Sequence, residues 1–121
     1  MTGLDEKDLK VVDILTRIGV KKQIASVLVF LNKVKSATSK EIEVGANLRQ
    51  PEVSVAVKEM KELGWVNEND VKKKGKGRPM KSYTLAVDFK EVVKQIVEKK
   101  RQELEEEKKK IEEIVKIVEE M

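Results

Sequence analysis

The sequence predicts a mainly α-helical domain that ends in a small β-hairpin and is followed by one long, charged helix. Three observations carry this prediction. Apolar residues recur at helical spacing in the segments that precede residue 64. Two strand-like runs then flank the basic segment KKKGKGRPMK at 72–81. From Asp88 onward a strongly charged helical pattern continues to Met121.

Charge is unevenly distributed along the 121 residues. Residues 1–87 hold 17 Lys or Arg against 11 Asp or Glu, whereas residues 88–121 hold 9 against 11. The basic excess therefore belongs to the first part of the chain, and most of it lies in the loop at 72–81. An anionic partner for that part is the simplest expectation.

Composition excludes several classes of chemistry. The chain has neither Cys nor His, so disulfides, zinc fingers, thiol nucleophiles and histidine acid–base catalysis are ruled out. The glycines at 75–80 match neither a P-loop nor a dinucleotide-binding fingerprint. We expect no enzyme activity, no cofactor and no metal site. The polar start and the short apolar runs predict a cytoplasmic protein with no membrane partner.

The first two helices are predicted at about 5–17 and 21–32. Leu4, Leu9, Val12, Leu15 and Ile18 give the first its helical spacing, and Gly19 ends it. The second helix is apolar nearly all round, which is typical of a central helix in a small domain. A short connector is expected at 33–37, with room for a strand residue or two.

A helix–turn–helix pair follows. Thr38 and Glu41 have capping-box spacing before a short helix at 39–45. A turn at 46–48 leads to a fourth helix, which starts near Gln50 with Pro51 in the first helical position and ends at Gly64. The apolar residues of the short helix are Ile42 and Val44, and the stripe of the fourth helix that is expected to face inward is Val53, Val57, Met60 and Leu63.

Two antiparallel strands are predicted at 65–73 and 81–85, joined by the basic loop. Three helices followed by a hairpin is the order of a winged helix-turn-helix domain, and this chain has one extra helix in front. We therefore expect this domain at 1–87, with a dimerisation helix of coiled-coil type at 88–121.

The fourth helix, about 50–63, is predicted to enter the DNA major groove. Its outward face and its first turn combine cationic, amide, hydroxyl and methyl groups, which suit phosphates and base edges. The candidate residues are Arg49, Gln50, Ser54, Val55, Lys58 and Lys61. The alternative is an ordinary surface helix of a four-helix domain.

The basic loop is predicted to contact the DNA minor groove and backbone. Arg78 lies between Gly77 and Pro79, a narrow segment that fits an AT-rich minor groove. The candidate phosphate contacts are Lys72, Lys73, Lys74, Lys76 and Lys81. The alternative is a solvated loop that only aids solubility.

Two segments carry a resemblance to a known family. NLRQPEVSVAVKEMKELGWVNE at 47–68 and KGKGRPMKSYTLA at 74–86 resemble winged-helix transcription regulators common in archaea, of the ArsR/TrmB-like kind. The resemblance covers about 20–87. It implies DNA binding as a dimer and control of transcription. Metal sensing by Cys or His ligands does not carry over, because the chain has neither residue.

The C-terminal helix carries apolar residues near heptad spacing, between long charged stretches. A single helix of this length and charge does not bury such a stripe alone, so pairing with a second copy is expected. The candidate dimerisation residues are Val93, Val97, Leu104, Ile111, Ile114 and Val118. The alternative is a monomeric helix folded back on the domain.

The prediction is a sequence-specific regulator that binds double-stranded DNA as a homodimer. A second hypothesis is a winged-helix protein–protein interaction module of a larger assembly, and salt dependence discriminates the two. RNA binding is disfavoured, because few aromatic residues are present to stack on bases. The sequence does not indicate a small-molecule effector, the operator or the direction of regulation.

Overall fold

The computed structural model describes residues 3–71 and 80–121. Two compact units follow one another, residues 1–89 and 90–121. The elements are α1 Glu6–Arg17, α2 Lys22–Val34, β1 Ser36–Thr38, α3 Ser39–Gly45, α4 Gln50–Glu62, β2 Val66–Val71, β3 Met80–Leu85 and α5 Phe89–Glu120. This architecture confirms the predicted mainly helical fold with a small sheet and a long C-terminal helix.

Helix α1 begins with a reciprocal cap. The Asp5 carboxylate accepts from the Asp8 N–H at 2.8 Å, and the Asp8 carboxylate accepts from the Asp5 N–H at 3.0 Å. Lys33 near the end of α2 donates to both carboxylates, at 3.1 and 2.8 Å. The Asp8 N–H and then Lys33 lower the pKa of Asp5, while the two carboxylates raise the pKa of Lys33. The start of α1 is thereby anchored to the end of α2.

Helix α2 is the centre of the first unit, as its composition predicts. Every residue from Ile24 to Leu31 is buried, and the helix contacts α1, α3, α4 and β3. Its Val27, Leu28 and Leu31 are among the largest fully buried side chains. Burial at this scale is the main favourable contribution to a small fold.

The turn between α3 and α4 depends on close packing at its start. Gly45 ends α3 against the ring of Phe30 in α2, where an added β-carbon would overlap the ring. Asn47 then takes a left-handed conformation with φ 55°, which asparagine tolerates better than most residues. The Leu48 N–H donates to the Glu43 carbonyl at 2.9 Å and closes the turn.

Helix α4 packs inward through Val53, Ala56, Val57 and Met60. One predicted inward position, Leu63, was wrong, and Val44, the second apolar residue of α3, does not contribute to the core. Leu63 is 55% exposed because α4 ends there and the chain turns away at Gly64, with φ 76°. Val44 is 73% exposed because α3 has only seven residues and packs inward through Ile42 and Gly45 instead. The predicted apolar stripe of α1 is buried only in part. Val12 and Leu15 are buried, but Leu9 is exposed.

The sheet has three antiparallel strands in the order β1-β3-β2. The predicted hairpin is β2 with β3, and Glu68 lies opposite Tyr83 in its register. The third strand, β1, includes the last two residues of the predicted connector together with Thr38, and it pairs Ala37 with Tyr83 on the other side of β3. Each neighbour thus fixes β3 from one side.

Helix α5 has 32 residues. From Arg101 to Met121 every residue is exposed, including apolar side chains. In the described ranges, no helix has the length and apolarity needed to cross a membrane. Among the same residues, no group of three or more acidic side chains is placed to hold a metal ion.

Candidate nucleic-acid interface

The structure brings the candidate residues of α4 onto one exposed surface. Four inward residues bury one side of the helix, so the remaining positions face outward. The apolar side chain of Val55 is 49% exposed on this side of the helix. The exposed candidates are Arg49, Gln50, Ser54, Val55, Lys58 and Lys61.

The first turn of α4 exposes the N-terminal end of the helix to solvent. Arg49 precedes the helix in an extended conformation, and Pro51 occupies an early helical position. The Arg49 N–H donates to the Glu52 carboxylate at 2.9 Å, which ties the two residues together. The Arg49 side chain is left exposed beside the positive end of the helix dipole.

A further ion pair holds α4 on the domain. Lys21, which precedes α2, donates to the Glu59 carboxylate at 2.6 Å. Both side chains of the pair are partly exposed, so it adds little to the stability of the fold. The buried stripe is the main contact that orients the outward residues of α4.

One group of residues was missed from the sequence. The Glu68 carboxylate on β2 accepts from Lys61 of α4 at 3.0 Å, from Lys81 of β3 at 3.3 Å and from the Tyr83 hydroxyl at 3.0 Å. We call these four residues the Glu68 cluster. It connects the last turn of α4 to the base of the hairpin.

A sequence signal for the cluster exists. Lys81 and Tyr83 are two residues apart, so they lie on one face of a strand. An acidic residue in the preceding strand is then a candidate partner, but the register that puts Glu68 opposite Tyr83 requires the structure. Two lysines predicted as independent DNA contacts are thus joined through one carboxylate.

The cluster has a defined electrostatic character. The hydrogen bond from Lys61 is the leading cause that lowers the pKa of Glu68, and the Tyr83 and Lys81 bonds act in the same direction. Burial raises the pKa of the Tyr83 hydroxyl, which therefore stays a donor at neutral pH. Glu68 is correspondingly held in its ionised form.

Most of the predicted loop contacts lie outside the described residues. These are Lys72, Lys73, Lys74, Lys76 and Arg78. Of the basic-loop candidates, the structure describes Lys81, which is exposed near the start of β3, next to the loop. The contact of the loop with DNA stays a prediction.

The six candidate dimerisation residues fall into two groups along α5. Val93 and Val97 are half-buried. Leu104, Ile111, Ile114 and Val118 are each at least half exposed, and they recur at three- and four-residue or seven-residue intervals. Their apolar surface is available for a partner helix.

Comparisons with known proteins concern the fold. No family model and no curated protein matches the chain. A solved structure described as a possible transcriptional regulator from Methanosarcina mazei is similar, with 19% identity and a TM-score of 0.57 over 84% of this chain and 87% of that chain. A MarR family transcriptional regulator from Silicibacter pomeroyi gives 14% identity and 0.56, over 93% of this chain and 80% of that one.

A third solved structure, a transcriptional regulator homologue from Pyrococcus horikoshii, is 15% identical with a TM-score of 0.55. The match covers 82% of this chain and 95% of that chain. At these identities the likeness concerns backbone architecture. Together with the helix order and the three-stranded sheet, it shows that this chain has a winged helix-turn-helix fold.

Proposed function

We propose that this protein is a transcription regulator that binds double-stranded DNA sequence-specifically as a homodimer. The observation that carries the proposal is the outward face of α4. It follows a helix-turn-helix turn, is opposite a fully buried stripe, and exposes residues suited to base edges and phosphates.

Helix α4 would enter the major groove with its N-terminal end first. Arg49 can donate two hydrogen bonds to a guanine, and Gln50 can pair with an adenine. Val55, which is exposed on the same helix, would offer its methyl groups to a thymine methyl. Ser54 and Lys58, on the same face, would contact bases or phosphates.

The hairpin would add contacts beside the major groove. Lys81 is exposed at the loop end of β3, and the basic loop that precedes it would place Arg78 in an adjacent minor groove. The lysines of the loop would neutralise phosphates, which gives affinity without sequence preference. The loop contribution rests on its composition.

The descriptions of the structural neighbours support regulation of transcription. The three named above are described as transcriptional regulators or homologues of them, and one is assigned to the MarR family. The ArsR/TrmB-like and archaeal character inferred from the two sequence segments remains part of this proposal. Metal sensing of the ArsR kind is not part of the proposal, because the chain has neither Cys nor His.

The proposed dimer uses α5. Residues 101–121 are exposed along their whole length, and an isolated helix with an apolar stripe is only marginally stable in water. Leu104, Ile111 and Val118 are seven residues apart, which is the spacing of one seam position in a helix pair. Because the stripe repeats, a second copy of α5 is a complementary partner. Leu9 and Ile14 of α1 add exposed apolar surface that a partner could also cover.

A selection from random duplex DNA tests the proposal. We expect the protein to enrich one site with two-fold symmetry, since a dimer presents two α4 helices. Titration of that site at increasing salt should give a log–log slope of about −0.9 for each phosphate neutralised. No enrichment, together with salt-insensitive capture of another protein, would favour a protein–protein interaction module instead.

A further inference from the structure

The Glu68 cluster joins two cations that come from different elements of the proposed DNA surface. Lys61 lies in the last turn of α4 and Lys81 lies in β3, and both donate to the same oxygen, Glu68 Oε2. The two lysine side chains are 44% and 54% exposed, whereas that of Glu68 is 22% exposed. The cations therefore face solvent, and the carboxylate that binds them lies behind them.

This arrangement changes what the surface offers to an anion. Two ammonium groups with one carboxylate carry a net charge of one, and the ionised carboxylate repels an approaching phosphate. Each ammonium has three donors, so it can bind a phosphate oxygen while it keeps its bond to Glu68. A phosphate can therefore bind Lys61 and Lys81, but the negative charge of Glu68 opposes its approach.

We propose that Glu68 acts as an internal competitor of DNA phosphate, and that it restrains the contribution of Lys61 and Lys81 to DNA affinity. The inference rests on the proposed function and adds a residue that sets the strength of that interface. Because phosphate contacts carry no sequence information, the restraint acts equally on every duplex. Glu68 is thus a positioning residue for the two lysines, and it makes no contact with a base.

Glu68→Gln tests the proposal with little change of shape. The amide keeps an oxygen that can accept from the Tyr83 hydroxyl, but it removes the negative charge beside both lysines. We expect about five- to tenfold tighter binding to specific and random duplexes alike at ~0.1 M salt. The log–log salt slope should steepen by about 0.9 to 1.8, the value for one or two additional phosphates.

Glu62→Gln is the matched control. Glu62 is exposed next to Lys61 in the sequence, and it forms no ion pair with the other residues that the structure describes. It makes the same change in net charge, but it does not release the lysines of the cluster. We expect less than a twofold change in affinity and an unchanged salt slope.

Unchanged or weaker binding by folded Glu68→Gln, or a slope equal to that of the wild type, would overturn the inference while the proposed function stands. Wild-type protein that binds no duplex at low salt would overturn both. If Glu68→Gln does not fold, Glu68→Met removes the same charge with a chain of similar length. The same gain in affinity and slope is expected from it, and its absence would count equally against the inference.

Discussion

Gly45 at the end of α3 lies directly against the ring of Phe30 in α2, with no space for a β-carbon between them. This contact sets how closely the first helix of the helix-turn-helix pair approaches the central helix. The position of α4, and so of its outward face, follows from it through the turn at 46–49.

Gly45→Ala is expected to lower the free energy of unfolding by about 1–3 kcal/mol, because the methyl group overpacks a rigid core. Urea denaturation monitored by circular dichroism measures this. Gly64→Ala is the contrasting variant, since its β-carbon would meet open space and only its φ of 76° is strained. Combining Gly45→Ala with Phe30→Leu should restore part of the loss; a purely additive double variant would contradict the steric explanation.

Replacing Arg49 and Lys58 together with Ala is expected to lower the ratio of specific to nonspecific affinity. A good base contact contributes about 1–3 kcal/mol of discrimination. Competition titration with operator and random duplexes measures the ratio. Lys7→Ala with Lys10→Ala removes two exposed cations from α1 and should leave it unchanged. An unaltered ratio in the Arg49 and Lys58 variant would show that α4 does not read the sequence.

Arg78→Ala is expected to weaken DNA binding by about 1 kcal/mol, the scale of one good contact. The loss should be greatest for sites with an AT-rich segment beside the α4 site, because a narrow minor groove attracts arginine most strongly. Fluorescence anisotropy on AT- and GC-flanked duplexes measures both effects. Arg17→Ala on α1 is the arginine control. Equal affinity on every duplex would remove the loop from the interface.

Ile111→Lys with Val118→Lys is expected to convert the protein to monomers, because two charges per chain would be buried in the proposed seam. Light scattering over a range of protein concentrations measures the mass. Lys substitutions at Glu106 and Glu113, exposed charged positions of the same helix, are the controls. A dimer that persists would direct attention to Leu9 and Ile14 of α1 as the main contact.

Glu68 is expected to give part of the acid sensitivity of the fold. Its pKa is lowered in the folded state, chiefly by Lys61, so the ionised carboxylate contributes stability above the ordinary glutamate pKa. That contribution is lost as the pH falls through the folded-state pKa, from about pH 5 downward. Free energies of unfolding of wild type and Glu68→Gln should therefore converge at low pH. A constant difference between pH 6 and pH 3 would contradict the cluster as described.

The helices were predictable because each has its own local signal. The capping pair of Thr38 and Glu41, the Pro51 start and the Gly64 end place α3 and α4 within a residue of their observed bounds. The errors concern side chains whose burial depends on where they lie along a helix. Leu63 fits the apolar spacing of α4, but the residue that follows the last turn of a helix presents too little surface to be buried.

Contacts between elements were harder to predict from the sequence. Strand β1 has three residues, too few for a periodic pattern, and its pairing with β3 spans more than forty residues of chain. The Glu68 cluster depends on strand register and on the approach of α4. Candidate residues on one helix face could be found by spacing alone, whereas their electrostatic partner on β2 could not.

The central position of β3 limits how the hairpin can move. One edge of β3 pairs with β2, and the other pairs with β1, which passes without a linker into α3 at Ser39. A hairpin that rotated as a body would have to break the hydrogen bonds between β1 and β3 or carry β1 and the start of α3 with it. The proposed wing and the helix-turn-helix pair are thus joined through a shared sheet as well as through the covalent chain.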